Sequence, residues 1–217
     1  MSVGFPVGQA GRRRTEAGAG PVRRLRRAER REQILDAATR AFARSGFAAT
    51  SLDDVAAEAG ITRVILYRHF DSKASMYRAV LDRACARLAE TVGTGDYGED
   101  AVAILVHAAA ADPDGFRLLF RHAAREPEFR DLADSLTAAA AEVARHDLAK
   151  QIPPGPWLDW AARLIPAVTT EAVIAWLDAG QPDPDQAAER IGRAVHGAIQ
   201  AAQAADPVSR PGPGGPG

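Results

Sequence analysis

The sequence predicts an all-α chain divided into a small N-terminal helical head and a larger helical body. Apolar residues recur at three- and four-residue spacing through each long stretch between Gly or Pro breaks. Only 6% of the residues are aromatic and alanine is abundant, a composition suited to close-packed helices rather than to a β-sandwich. The net charge of −1 hides an asymmetry: residues 1–83 carry 16 Arg/Lys against 9 Asp/Glu, and residues 84–217 carry 11 against 19. A basic head on an acidic body is suited to holding a polyanion at one end.

Residues 1–28 alternate Gly, Pro and Ala with Arg12-Arg13-Arg14 and Arg23-Arg24-Leu25-Arg26-Arg27. That composition buries too little apolar surface to order itself, so a flexible basic arm is expected, its arginines either entering a minor groove or giving only unspecific attraction to phosphate. An amphipathic helix follows over 29–45, with Ile34, Ala38, Ala41 and Phe42 on one face, and Gly46 ends it.

The stretch 50–73, TSLDDVAAEAGITRVILYRHFDSK, organises the rest. Thr50 and Ser51 are each followed three residues later by an Asp, the spacing of a capping box. Leu52, Val55, Ala56 and Ala59 then share a face, Gly60 supplies the break, and Thr62 is placed to cap a second short helix. Two short helices about a tight Gly-containing turn, over about 51–70, are a helix-turn-helix, whose second helix can enter a major groove. Asp71 and Ser72 cap a further helix reaching about residue 92, along which Met76, Val80, Ala84 and Leu88 recur every four residues.

Thr50-Ser51-Leu52, Glu58-Ala59-Gly60-Ile61, Leu66-Tyr67-Arg68-His69-Phe70 and Ser72-Lys73 together resemble the DNA-binding domain of the TetR family of transcriptional regulators. The resemblance is motif-level over 29–90 and architectural over 91–205. It implies a three-helix DNA-binding domain joined to a C-terminal helical domain that binds an effector and dimerises. It also implies that Tyr67, His69 and Lys73 contact phosphates, with Thr50 as a phosphate-binding cap. From the residues themselves, Leu66 and Phe70 should pack inward, while Thr62, Arg63, Val64 and Tyr67 should reach base edges or phosphates. Arg63 suits a guanine, and Val64 a thymine methyl.

In the body, helices are expected over 99–111, 116–125, 127–151, 157–179 and 185–205, with a loop at 93–98 and a Pro/Gly-rich disordered tail over 206–217. Pro166 falls inside the fourth of these helices. The wide apolar surface of 157–179 suits either a subunit interface formed with the last helix or burial within one subunit, and the resemblance implies a homodimer through that pair. An effector cavity is expected to draw on His107, Phe116, Phe120, His122, Trp160 and Leu164, which combine aromatic surface with a few polar groups.

Cys85 stands alone, which excludes an internal disulfide and any cysteine-cluster metal site. None of the five histidines shows metal-ligand spacing with another histidine or a cysteine, and no Gly-rich phosphate loop or GxSxG occurs. No cofactor, metal or catalytic residue is therefore expected. Asp159, Arg163 and Glu171 interrupt the most apolar helix, so no membrane span is expected, and no secretory leader is visible; a cytoplasmic protein is the expectation. The expected function is a sequence-specific regulator, a repressor released from operator DNA by a small molecule. The alternative is an architectural helix-turn-helix protein without an effector.

Overall fold

The computed structural model describes residues 20–93 and 98–203, with side chains from Arg26 onward except that of Glu99. Among the described residues the fold is entirely helical, as expected. The head comprises α1 (Gly20–Ala49), α2 (Leu52–Glu58), α3 (Arg63–Tyr67) and the first half of α4 (Lys73–Val92). The body adds α5 (Ala101–Ala111), α6 (Pro113–Arg117), α7 (Arg130–Leu148), α8 (Pro156–Asp178) and α9 (Pro184–Gln203). Helix α6 runs on through a π turn at Leu118–His122 and a 3-10 turn at Ala123–Arg125.

One boundary differs from expectation. Helix α1 begins at Gly20, inside the segment 1–28 read as a flexible arm. The reason lies in the composition of residues 20–28, which hold Leu, Ala and several Arg after a single Pro in the first turn; those residue types favour helix. The rest of the arm, with Arg12, Arg13 and Arg14, lies outside the described residues, as does the tail from residue 204. Gly46 interrupts the other end of α1, at φ 77°, where an L side chain would be strained.

The turn between α2 and α3 is built as its sequence suggests. Ser51 and Asp54 cap α2 reciprocally: the Ser51 amide donates to the Asp54 carboxylate (2.8 Å) and the Asp54 amide to the Ser51 hydroxyl (3.1 Å). At the far end the Gly60 amide donates to Ala57 (3.1 Å) and the Ile61 amide to Ala56 (2.9 Å), the paired bonds of a Schellman cap. Gly60 takes φ 63° to allow it, and Ile61 folds back on the core.

Two hydrophobic cores result. The first joins Ile34, Leu35, Ala38 and Phe42 of α1 to Val55, Leu66, Met76, Tyr77, Val80 and Leu81, and continues into Leu118, Leu119 and Phe129 of the body. The second gathers Val106, Phe116, Leu158, Ala161, Val173, Ile174, Leu177, Ile191 and Val195. Phe120 packs against both. Helix α8 is continuous through Pro166, which has no amide hydrogen to donate along the helix.

Where head meets body, Tyr77 lies among Phe42, Phe47 and Phe129 at centroid distances of 4.9, 5.0 and 4.7 Å. Its ring is fully buried, and its hydroxyl has no hydrogen-bond partner among the described residues. Burial, with Glu126 nearby, holds the phenol far above its ordinary pKa, so it stays neutral. An unsatisfied buried hydroxyl costs about 1–3 kcal/mol. Tyr77→Phe is therefore expected to match or exceed the wild-type stability, read as the urea midpoint at constant m-value. A loss above 1 kcal/mol would show that the hydroxyl has a partner.

Candidate nucleic-acid interface

Helix α3 is only five residues long, so its neighbours decide which side it shows. Leu66 is fully buried and Phe70 nearly so, which fixes the inward face. The opposite face then presents Thr62, Arg63, Val64 and Tyr67 to solvent. Val64 is 65% exposed and Tyr67 45%, unusual for apolar and aromatic side chains in a head this small. Thr62 is the N-cap of α3, and its side chain makes no capping bond, leaving the hydroxyl free of that duty.

Arg63 is already arranged. Its guanidinium pairs with Asp53 (3.1 Å), donates to the Tyr67 hydroxyl (3.2 Å) and lies 5.5 Å from the Tyr67 ring centre. Both charged partners are exposed, so the pair adds little to stability. The guanidinium is held outward at little cost and can exchange Asp53 for a base edge or a phosphate.

Two residues expected to contact phosphates, Thr50 and Lys73, have partners inside the head. Thr50 is 2% exposed, and its hydroxyl donates to the Gly46 carbonyl (2.7 Å), so it secures the end of α1 instead of facing a ligand. The capping role belongs to Ser51. Lys73 is likewise turned inward: its ammonium lies 2.8 Å from the Phe47 carbonyl, 3.0 Å from that of Thr50 and 3.3 Å from that of Ala48, and 4.4 Å from the Phe47 ring centre. Three carbonyls left open where α1 gives way to α2 match the three ammonium donors, which explains a lysine in the first turn of α4 without any phosphate. His69 is partly exposed, but burial and the charges of Arg27, Arg31 and Arg30 lower its pKa. It is thus mostly a neutral donor or acceptor near pH 7, not a cation for phosphate.

The six residues expected around an effector do not converge. Phe116 and Phe120 stack at 4.6 Å inside the body. His107 is exposed, with Nδ1 2.7 Å from the Ala103 carbonyl and Nε2 3.1 Å from Asp185, and so ties α5 to the start of α9. Trp160 is 43% exposed and meets Trp157 edge to face on the outside of α8; Leu164 is half-buried one turn further along. His122 ends the π turn against the head, beside Ala43 and Gly46 of α1. A cleft of about 200 Å³ lies instead between α4, α5 and α6, lined by Ala84, Arg87, Leu88, Thr91, Asp112 and Phe116, among others. Of the six, it includes only Phe116. Helical spacing identified apolar positions but not which of them border space.

This geometry defines a helix-turn-helix protein with a helical body. Residues 34–80 match the family described as "Bacterial regulatory proteins, tetR family". That match covers the head, the part of the chain over which the sequence resemblance is motif-level. It is 42% identical over 73 residues, 34% of its length and 33% of the relative's, to the HTH-type transcriptional activator FasR of Mycolicibacterium smegmatis. It is 43% identical over 70 residues, 30% of this chain and 34% of the relative, to the HTH-type transcriptional repressor KstR2 of Rhodococcus jostii. The matches thus span about a third of the length of these curated relatives. In fold it resembles a TetR-like transcriptional regulator from Rhodococcus sp. RHA1, at a TM-score of 0.66 and 21% identity over 80% of this chain and 97% of that one. Among the described residues no group of His, Cys, Asp or Glu is arranged for a metal, and no helix is long and apolar enough to cross a membrane.

Lys73→Met should lower stability by about 1–3 kcal/mol, because it leaves helix-end carbonyls without their donor. The salt dependence of DNA binding should not change. A salt slope reduced by one with an unaltered melting temperature would restore the phosphate role. A second expectation concerns pH. Burial, with Arg125 and Arg121, lowers the His122 pKa against weaker opposing effects of Glu126 and the Ala43 carbonyl. The unfolded chain therefore binds this proton more readily, and the stabilisation present above about pH 6.5 is lost as pH falls through the lower folded value. His122→Gln should shrink the drop in melting temperature between pH 7.5 and 5.5; an unchanged drop would mean that the ring is not held neutral.

Proposed function

We propose that the chain is a sequence-specific DNA-binding transcriptional regulator that acts as a homodimer. The observation that carries this reading is the exposed Arg63–Val64–Tyr67 face of α3, held by the buried Leu66. A guanidinium, a branched apolar group and a phenol on one short helix can read base edges and anchor a backbone together. The N-terminal turn of α3 carries them, the part of a recognition helix that meets bases.

Dimerisation through α8 and α9 is supported by what α8 leaves uncovered. Trp157 and Trp160 are exposed, and Leu164, Ala167 and Val168 continue the same apolar side. Such a patch favours a subunit contact. A two-fold dimer places its two α3 helices on a pseudo-palindromic site with half-sites about one helical turn apart or somewhat more.

The effector reading rests on the cleft beside α4. At about 200 Å³ it suits a small ligand, or a larger one only after widening. Arg87 at its edge pairs with Asp112 (3.4 Å) and with Asp36 of α1 (3.8 Å), so a ligand that engages Arg87 also acts on a link to the head. The small volume favours a second reading, an architectural DNA-binding protein without an effector. The sign of regulation is proposed to be repression; one relative is named a repressor and another an activator, and transcription in vitro from the bound site distinguishes them.

The test is selection of random duplexes on the purified protein at near-physiological salt. An enriched palindrome is expected; salt-sensitive binding without enrichment would support the architectural reading. Arg63→Ala should then relax preference at one position of each half-site by about 1–3 kcal/mol. Unchanged base preference would remove Arg63 from direct readout.

A further inference from the structure

The face of α1 that holds the head together changes character where it overhangs the head. Ile34, Leu35 and Ala38 are at most 2% exposed in the first core. One and two turns earlier the same stripe carries Arg31, Arg30 and Arg27, at helical spacing with Ile34 and Ala38. The overhang has a fixed direction, because the Arg31 guanidinium sits 4.8 Å from the centre of the Phe70 ring, just after α3. The charges of Arg27, Arg31 and Arg30 all act on His69, so the three arginines gather beside the C-terminal end of α3.

None of these arginines has an acidic partner among the described residues, and neither do Arg26 and Arg68 close by in sequence. Elsewhere in the head Arg40 and Arg44 pair with Glu58, and Arg63 with Asp53. Of the acids on this part of α1, Glu29 makes no ion pair with the cluster among the described residues, Glu32 pairs with Arg83 of α4 (3.3 Å), and Asp36 pairs with Arg83 and Arg87. Arg27 and Arg30 are exposed, so their mutual repulsion is relieved only by an anion from outside.

We propose that Arg27 and Arg30 form a second phosphate-binding surface, gripping the sugar-phosphate backbone of the duplex whose bases α3 reads. The surface lies beside the end of α3, where Arg68 is exposed and His69 partly so. Its partner has to be an extended polyanion, since successive turns of α1 present the charges along a line about 1.5 Å per residue. A duplex backbone offers repeated phosphates on that scale, and the contact adds affinity without reading sequence. Arg31 has a different part: stacked on Phe70, it positions the overhang. The inference rests on the DNA-binding reading given above.

The experiment compares the full-length wild type with Arg27→Gln/Arg30→Gln on the selected duplex, with affinity measured from 50 to 200 mM salt. Each phosphate contact contributes about 0.9 to the slope of log affinity against log salt, so the double variant should lose about 1.8 per bound head. The fourfold rise in salt should then weaken its binding about twelvefold less per head than it weakens the wild type. Base preference and melting temperature should not change, and Arg190→Gln, on the exposed side of α9, should leave the slope unaltered. An unchanged slope in the double variant overturns the proposal, as does a change of base preference in place of slope. Failure of the wild type itself to bind duplexes would instead overturn the DNA-binding reading, and the wild-type titration alone reveals it.

Discussion

A five-residue helix cannot persist by itself. Its hydrogen bonds are too few to offset the cost of nucleating a turn, so α3 exists only because the rest of the head confines it. Leu66 anchors it, fully buried in the core that α1, α2 and α4 share. The Schellman cap at Gly60 sets the direction from which α3 departs, and Ile61 packs the turn against the core. Each element of the head answers the same need: a rigid platform for a few outward side chains that are not part of the core themselves.

Helix α4 makes the platform continuous with the body. Its first residue, Lys73, gathers the carbonyls between α1 and α2; its middle, Met76 to Leu81, closes the head core; its last turns border the cleft. Arg83 adds a partly buried tie, reaching Asp36 (2.8 Å) and the Thr39 hydroxyl (2.7 Å) of α1. With Phe120 packed on both cores, a shift of the body helices has a direct mechanical route to α1 and α4. The π turn at Leu118–His122 lies on that route, and single π turns within helices are frequent at functional sites.

The sequence makes much of this legible, and for identifiable reasons. The head elements were readable because caps, glycine breaks and 3.6-residue periodicity are local signals; Ser51, Gly60 and Leu66 each act as their positions imply. The outward face of α3 was readable for the same reason. Lys73 and Thr50 were not, because a cation near a helix start and a threonine before one look alike whether their partner is a phosphate or a carbonyl 23 or 4 residues away. The effector residues failed on similar ground: His107 and Trp160 combine aromatic surface with polarity, but their neighbours are set by tertiary packing. The arginine spacing along the start of α1 was visible, yet a Gly/Pro-rich composition up to Pro21 concealed the helix that gives the spacing its meaning.

The arginines show how one residue type is divided between two tasks. Body and junction arginines are largely committed internally: Arg117 and Arg121 meet at Asp178, Arg78 reaches Asp131, and Arg145 pairs with Asp159. These pairs are exposed or half-exposed, worth little singly, and serve to fix which helix lies beside which. Near the start of α1 and the end of α3, Arg26, Arg27, Arg30, Arg31 and Arg68 make no ion pair among the described residues, although Glu29 and Asp71 lie close in sequence. Because unpaired like charges raise the energy of the free protein, their concentration on one edge lowers the cost of meeting a polyanion there and nowhere else. The acidic body then acts in the same sense, by repelling that polyanion from every surface except the head.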